Sequence, residues 1–156
     1  MRREDREVTD PEKIKEIISQ SFCCRLGLND KGQVYIVPLN FGYIFENGNY
    51  TFYFHGAGEG RKIDIIKTNP DAGFEMDTNC RLNEADVACG YSAGFQSIIG
   101  NGHVTIVESL EEKKLGLELI MEHYTGKRNW DYSERALDKV CVFKLIVKTL
   151  SCKEHL

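Results

Sequence analysis

The chain lacks the sequence patterns that define several common classes of protein. It has no run of about 18 apolar residues, so no membrane-spanning helix is predicted. It has no G-x-S-x-G elbow, no P-loop and no G-x-G-x-x-G motif after a first strand, which argues against a serine hydrolase, an NTPase and a Rossmann domain. It also has no C-x-x-C pair, and a structural zinc site is therefore not predicted.

An excess of positive charge is absent as well. The 156 residues include 24 acidic and 20 basic side chains, which gives a formal net charge of −4, so a nucleic-acid-binding surface is not expected. The charged residues 1–6 are not followed by an apolar core, which argues against a secretory signal. We therefore expect a cytoplasmic protein of one domain, residues 1–156, whose six cysteines are reduced thiols.

Hydrophobic patterning predicts more strands than helices. Thr9-Asp10-Pro11-Glu12 is a helix-start signal, and Glu46-Asn47-Gly48-Asn49 contains a strong hairpin signal. Residues 77–94 are interpreted as irregular, and Gly100-Asn101-Gly102 as a bulge. Few helices and many strands indicate a mainly β protein, a small antiparallel barrel whose closure removes exposed edges. The predicted helices are 11–20, 60–68 and 109–124, and the six predicted strands are 22–28, 34–41, 50–55, 72–76, 95–107 and 139–149.

The segment Tyr53–Ile66 combines the parts of an anion-binding site. A strand-like run ends at His55, passes three glycines and reaches Arg61 and Lys62 at the start of a helical pattern. Glycine lets the backbone approach a ligand closely, and a helix start adds free N–H groups to the two cations. A phosphate-bearing cofactor fits this pattern, and an ordinary strand–loop–helix corner with solvated charges fits it too.

Other segments hold further candidate residues. Pro38 interrupts a strand-like run and cannot donate to a central ladder, so this strand either offers its backbone to a flat polar ligand or is an edge strand that tolerates a proline. Gln96 and Ser97 are adjacent hydrogen-bonding residues on a strand that could face the same site. His55 and His103 lie on different predicted strands, but without a carboxylate pattern they predict no metal site.

Taken in this order, these segments resemble the FMN-binding split-barrel superfamily, the pyridoxamine 5'-phosphate oxidase-like fold. Within it they are most similar to the nitroimidazole-resistance branch of nitroreductase-like flavoproteins. The similarity begins in the charged opening Arg2–Glu7, continues through Cys24–Leu28 and covers about residues 2–150. It is strongest in Val37–Tyr43 and Phe54–Lys62. The resemblance implies a six-stranded antiparallel split β-barrel of the FMN-binding type.

The resemblance also implies a homodimer with two FMN molecules at the subunit interface. Arg61 and Lys62 would hold the phosphate, and the strand Val37–Phe41 would lie along the isoalloxazine ring. His55 matches the active-site histidine of the nitroimidazole branch and is the expected catalytic residue, whereas Gln96 stands where the family often has arginine. The implied cofactor-binding residues are Val37, Pro38, Leu39, Asn40, Phe41, Phe54, His55, Arg61, Lys62, Gln96 and Ser97.

The implied function is that of an FMN-dependent oxidoreductase. Electrons from a reduced nicotinamide or another donor would pass through the flavin to a small acceptor such as a nitroaromatic compound. A non-catalytic flavin- or haem-binding protein with this fold is the alternative, and a small β-barrel interaction module is another. Residues 147–156 lack the terminal arginines of true pyridoxamine-phosphate oxidases, so vitamin B6 oxidation is not expected.

Overall fold

The computed structural model of the protein describes residues 3–156, so Met1 and Arg2, the first residue of the charged opening segment, lie outside the described residues. Two short 3-10 turns, Glu4–Arg6 and Ala88–Gly90, accompany the regular elements. The helices are α1 Pro11–Gln20, α2 Arg61–Thr68, α3 Leu110–Thr125 and α4 Glu134–Lys139. The strands are β1 Glu7–Val8, β2 Cys24–Asp30, β3 Gln33–Leu39, β4 Phe41–Glu46, β5 Asn49–Ala57, β6 Asp71–Asn83, β7 Ser92–Ile106 and β8 Val140–His155.

The strands form one antiparallel sheet whose path is open. Their order is β3-β2-β6-β7-β8-β5-β4, and β1 pairs with the end of β8. The outermost strands of this path, β3 and β4, follow each other in the chain and are joined at Asn40. The fold is therefore an antiparallel split barrel, as the family resemblance implies, and the sheet does not close on itself.

The strand count also corrects the sequence-based expectation. Residues 3–156 contain eight strands instead of six. The run 34–41 divides at Asn40 into β3 and the start of β4, and residues 7–8 add the short strand β1. Apolar and aromatic residues continue on both sides of Asn40, so the sequence pattern alone did not reveal the bend.

The main core fills the inside of the bent sheet. Phe41, Phe52, Phe54 and Phe143 are fully buried, and their rings pack at centroid distances of 5.9 Å between Phe41 and Phe52 and 5.4 Å between Phe54 and Phe143. Helices α1 and α2 add apolar faces to this core, which consist of Ile17, Ile18, Ile63, Ile65 and Ile66. Burial of these side chains is the main stabilising contribution, and it places the start of α2 beside the end of β5.

Helix α3 packs on the opposite face of β4 and β5. Its approach requires glycine at Gly42, because a Cβ there would lie 2.3 Å from the carbonyl carbon of Leu119. Near the end of the helix, the Tyr124 hydroxyl accepts a hydrogen bond from the Phe41 N–H at 3.2 Å and donates one to the Phe22 carbonyl at 2.6 Å. These bonds satisfy backbone groups next to the bend at Asn40 and so help to fix the split between the two edge strands.

Several local predictions are confirmed. Helix α1 spans the predicted residues, although its N-cap is Asp10, whose carboxylate accepts from the Glu12 N–H at 3.1 Å. Asn47 and Gly48 have φ values of 53° and 79°, as a tight hairpin turn requires. The register between β7 and β8 shifts between Asn101 and Gly102, where a bulge is predicted.

Other segments differ from the prediction. Residues 77–94 are only partly irregular, because β6 extends to Asn83 and β7 begins at Ser92. The residues of this extension are mostly polar and do not alternate with apolar ones, so the sequence did not indicate a strand there. The extension forms a two-stranded arm of β6 and β7. The six cysteines are all free. Within residues 3–156, no helix has the length and apolar character needed to cross a membrane.

Candidate functional site

The loop between β5 and α2 leaves its backbone accessible. Gly60 has a φ of 105°, and no atom lies within 4 Å of the position that a Cβ would take there. The N–H groups of Ile63 and Asp64 bond to the Gly60 carbonyl, but Gly60 has no side chain that could cap the first N–H groups of α2. The remaining N–H groups of the first turn of α2 and the positive end of the helix dipole are therefore available to an anion.

Lys62 lies over the end of β5. A Cβ placed on Gly56 would be 3.0 Å from both Cε and Nζ of Lys62, so the ammonium group sits against the strand at this glycine. The neighbouring residue His55 is exposed. The pKa of its imidazole is lowered, mainly because the ring is partly desolvated and also because the positive charge of Lys62 lies nearby. The structure thus brings His55 and Lys62 together at one end of the loop.

Arg61 points to the other side, toward the hairpin of β2 and β3. Its Nε donates to Oδ2 of Asp30 at 2.8 Å, and its guanidinium carbon lies 4.5 Å from the centre of the Tyr35 ring. Asp30 and Tyr35 are not among the site residues predicted from the sequence. Asp30 is 31 residues from Arg61 in the chain, and no local pattern connects the two residues.

The strand β3 lies at an edge of the sheet, as its proline allows. Pro38 and Asn40 are exposed, while Val37 and Leu39 are half-buried against the core. Among the described residues, β3 pairs only with β2, so its second edge carries backbone groups without a strand partner. These groups could meet the polar edge of a flat ligand.

Two of the predicted site residues have side chains in the core. Phe41 and Phe54 face each other across β4 and β5, and both are fully buried. Their rings cannot contact a ligand at the surface, and only their backbone could. Alternation along β5 explains the difference, because Phe54 points inward where His55 points outward.

Gln96 and Ser97 are not brought together on one face. Gln96 is 2% exposed, accepts a hydrogen bond from Asn79 Nδ2 at 2.6 Å and donates one to Glu154 at 2.9 Å. Ser97 is half-buried on the opposite face of β7. Neighbouring strand residues alternate between faces, so these two side chains point to opposite faces of β7. Gln96 is instead part of a polar cluster with β6 and the end of β8.

The two strand histidines occupy separate surroundings. His103 lies beside Asp71, its pairing partner on β6, and its Nδ1 is 3.4 Å from Oδ1 of that residue. This position is distant in sequence from the loop that follows His55. Within residues 3–156, no group of three or more His, Cys, Asp and Glu side chains is arranged to hold a metal ion.

The outer face of the sheet carries exposed apolar side chains beside a row of small residues. Ile36, Gly27, Gly73 and Asn101 lie directly opposite one another across β3, β2, β6 and β7. Val34 is 77% exposed, and Ile36 is 61% exposed. The two glycines leave a shallow groove beside Val34.

The chain is similar to known proteins over most of its length. A family model described as pyridoxamine 5'-phosphate oxidase matches residues 10–154. Among solved structures, a candidate 5-nitroimidazole antibiotic resistance protein from Bacteroides thetaiotaomicron is 35% identical, with a TM-score of 0.81 and coverage of 95% of this chain and 86% of that one. None of the curated proteins matches the chain.

More distant structures share the fold. The flavocytochrome Anf3 from Azotobacter vinelandii is 19% identical, with a TM-score of 0.80 and coverage of 100% of this chain and 72% of that one. An FAD- and haem-binding protein from Mycobacterium smegmatis is 14% identical, with a TM-score of 0.81 and coverage of 96% and 73%. At these identities the likeness concerns the architecture alone.

Proposed function

Because the chain belongs to the pyridoxamine 5'-phosphate oxidase family, we propose that it binds FMN and reduces a small acceptor with it. The observation that carries this proposal is the loop between β5 and α2, where Arg61, Lys62 and an uncapped helix start surround an accessible glycine backbone. When bound, FMN supplies the redox chemistry, and the protein supplies position and electrostatics.

The phosphate would bind at the start of α2. Lys62 offers an ammonium group at the end of β5, and Arg61 offers a guanidinium group on the side of the hairpin. Charge-assisted hydrogen bonds from these groups would add to those of the first-turn N–H groups. A terminal phosphate is the ligand group that best matches two cations and a helix start.

The ring system would lie along β3. The exposed residues Pro38 and Asn40 and the unpaired backbone edge of this strand provide a flat surface with donors and acceptors. Val37 and Leu39 would support this surface from the core side. In this proposal Phe41 and Phe54 act by fixing the strands and do not touch the cofactor through their rings.

His55 would act beside the flavin. Its lowered pKa keeps the imidazole mostly neutral at neutral pH, because the usual histidine pKa is already about 6.5. We therefore assign it a hydrogen bond to the acceptor, with proton donation gaining importance as the pH falls. The prediction of a catalytic role rests on its exposed position next to Lys62.

The proposal includes a homodimer. The shallow groove at Gly27 and Gly73 and the exposed side chains of Val34 and Ile36 supply an apolar surface on the outer face of the barrel. A second copy of the chain would cover this surface, and each cofactor would then lie at the boundary between the two subunits. Sedimentation equilibrium that gives the monomer mass would contradict this arrangement.

The acceptor class follows from the most informative structural likeness. The Bacteroides protein that is 35% identical is described by resistance to 5-nitroimidazoles, so we propose a nitroaromatic acceptor. A flavin- or haem-binding protein without turnover is the second candidate, and two proteins of the same fold are described as a flavocytochrome and as an FAD- and haem-binding protein.

Binding of FMN and of riboflavin, which lacks the phosphate, tests the cofactor site. Lys62→Ala is expected to weaken FMN binding about ten- to a hundredfold, as the loss of a hydrogen bond to a charged group predicts, and to leave riboflavin binding unchanged. Lys67→Ala removes the same charge from the last turn of α2 and serves as the matched control. Equal effects of the two variants would argue against a phosphate at Lys62.

Turnover separates the two candidate functions. The loaded protein is mixed with NADH or NADPH and a nitroaromatic compound, and nicotinamide oxidation is followed by absorbance. His55→Asn is expected to lower the rate while FMN affinity stays the same. Stable FMN or haem binding without any oxidation would favour the binding protein over the reductase.

A further inference from the structure

We propose that Asp30 and Tyr35 are positioning residues for the flavin phosphate, because they hold the Arg61 guanidinium in the orientation that binds it. The inference rests on the proposed function, in which Arg61 is a phosphate ligand. It adds two residues from a different part of the chain, the hairpin of β2 and β3, to the cofactor site.

The contacts restrain Arg61 in two directions. The hydrogen bond between Nε and Asp30 Oδ2, at 2.8 Å, fixes one edge of the guanidinium. The guanidinium carbon also lies over the Tyr35 ring, 4.5 Å from its centre. The Arg61 side chain is 52% exposed and would otherwise sample many rotamers, so these contacts reduce the entropy that phosphate binding must remove.

The geometry leaves the phosphate-binding end of Arg61 available. Nε lies at the base of the guanidinium, and the two Nη groups carry the remaining N–H donors beyond it. A carboxylate at Nε and a phosphate at Nη can therefore bind the same arginine together. Asp30 acts in this arrangement as an orienting partner and not as a competitor for the phosphate.

The hairpin itself is fastened to α2 at a second point. Lys31 and Gly32 have φ values of 53° and 92°, and the Asn29 side chain accepts from the Gly32 N–H at 2.7 Å, which fixes the turn. At the end of α2, Asn69 Nδ2 donates to the Asn29 carbonyl at 3.4 Å. Asp30 is thus held by a fixed turn, as a positioning residue needs to be.

The positioning role predicts an effect opposite to simple electrostatics. Removing a carboxylate near a phosphate should strengthen binding if charge alone matters. Loss of an orienting contact should weaken it. The sign of the change for Asp30→Ala therefore separates the two explanations.

The test measures FMN and riboflavin binding to the full chain by titration calorimetry. Asp30→Ala and Tyr35→Leu are each expected to weaken FMN binding about three- to tenfold, the range for one modest hydrogen bond or cation–π contact, with riboflavin binding unchanged. In an Arg61→Ala background, Asp30→Ala should have no further effect. Asp64→Ala is the matched control, because Asp64 lines the same depression as Asp30 and Arg61 but its carboxylate is not paired with the guanidinium.

Other results would overturn the inference. FMN binding that is unchanged or tighter in Asp30→Ala would mean that the carboxylate does not orient Arg61. Equal weakening of FMN and riboflavin would indicate a general structural effect. If the unmodified protein does not bind FMN, the proposed phosphate site fails, and if Arg61→Ala leaves FMN affinity intact, Arg61 is not a phosphate ligand. The inference fails in either case. A failure confined to Asp30 and Tyr35 leaves the phosphate site standing.

Discussion

Replacing Gly42 with alanine should destabilise the protein through a backbone clash. The new Cβ would lie 2.3 Å from the Leu119 carbonyl carbon, 2.4 Å from the Ile120 nitrogen and 2.6 Å from the Leu119 oxygen. All three atoms belong to the α3 backbone, so the helix must move by about 1 Å to restore ordinary contact. Overpacking of this kind costs about 1–3 kcal/mol, and the gain of about 0.4–1 kcal/mol from restricting the unfolded chain offsets only part of it.

Thermal unfolding without added flavin measures this effect. For a chain of this size about 1 kcal/mol corresponds to roughly 2–4 °C, so a net loss of about 0.6–2 kcal/mol should lower the Tm of Gly42→Ala by roughly 1–8 °C. Gly58→Ala is the control, because the one atom near its Cβ position is the Cys141 Cβ at 3.9 Å. Its Tm should be unchanged or rise by up to about 4 °C, because only the gain from restricting the unfolded chain applies there.

A second readout links this packing to the cofactor site. Displacement of α3 would disturb the hydrogen bond from the Phe41 N–H to Tyr124 and so the bend at Asn40. Gly42→Ala should therefore weaken FMN and riboflavin binding by the same factor. An unchanged or higher Tm would refute the reasoning, since it would mean that α3 does not approach β4 as closely as the structure gives.

Two further changes test the core and the effect of pH. Phe54→Ala should lower the free energy of unfolding by about 3–5 kcal/mol, because the ring is fully buried against Phe143. Urea unfolding measures this decrease, and a decrease of less than about 1 kcal/mol would contradict the core position of the ring. His123 has a lowered pKa because burial opposes its charge more than the hydrogen bond to the Ser21 carbonyl favours it, so the unfolded chain binds the proton more tightly. Stability should therefore be lost as the pH falls below about 6.5, and melts of His123→Asn should show a smaller loss over this window.

The sequence predicted the local features that depend on single residues or short patterns. Helix α1, the turn at Asn47-Gly48 and the edge position of the proline strand were recognisable because propensity and turn chemistry act over a few residues. The division at Asn40 was not recognisable. It depends on Tyr124, which reaches Phe41 from 83 residues away.

The candidate site shows the same limit. Arg61, Lys62 and His55 were identified from one contiguous segment, and the structure places them around one loop. The partners of Arg61 come from another hairpin, and Gln96 is satisfied by Asn79 and Glu154 instead of facing the loop. Long-range pairing of this kind leaves no periodic signal in one sequence, so the cations were predictable and their orientation was not.

Titration of the purified protein with FMN tests the central claim most directly. A phosphate site at the start of α2 predicts saturable uptake of FMN, seen as a changed visible absorption spectrum and quenched flavin fluorescence, with clearly weaker uptake of riboflavin. A colourless protein that takes up neither compound, or that binds both equally, would contradict a phosphate site at the start of α2.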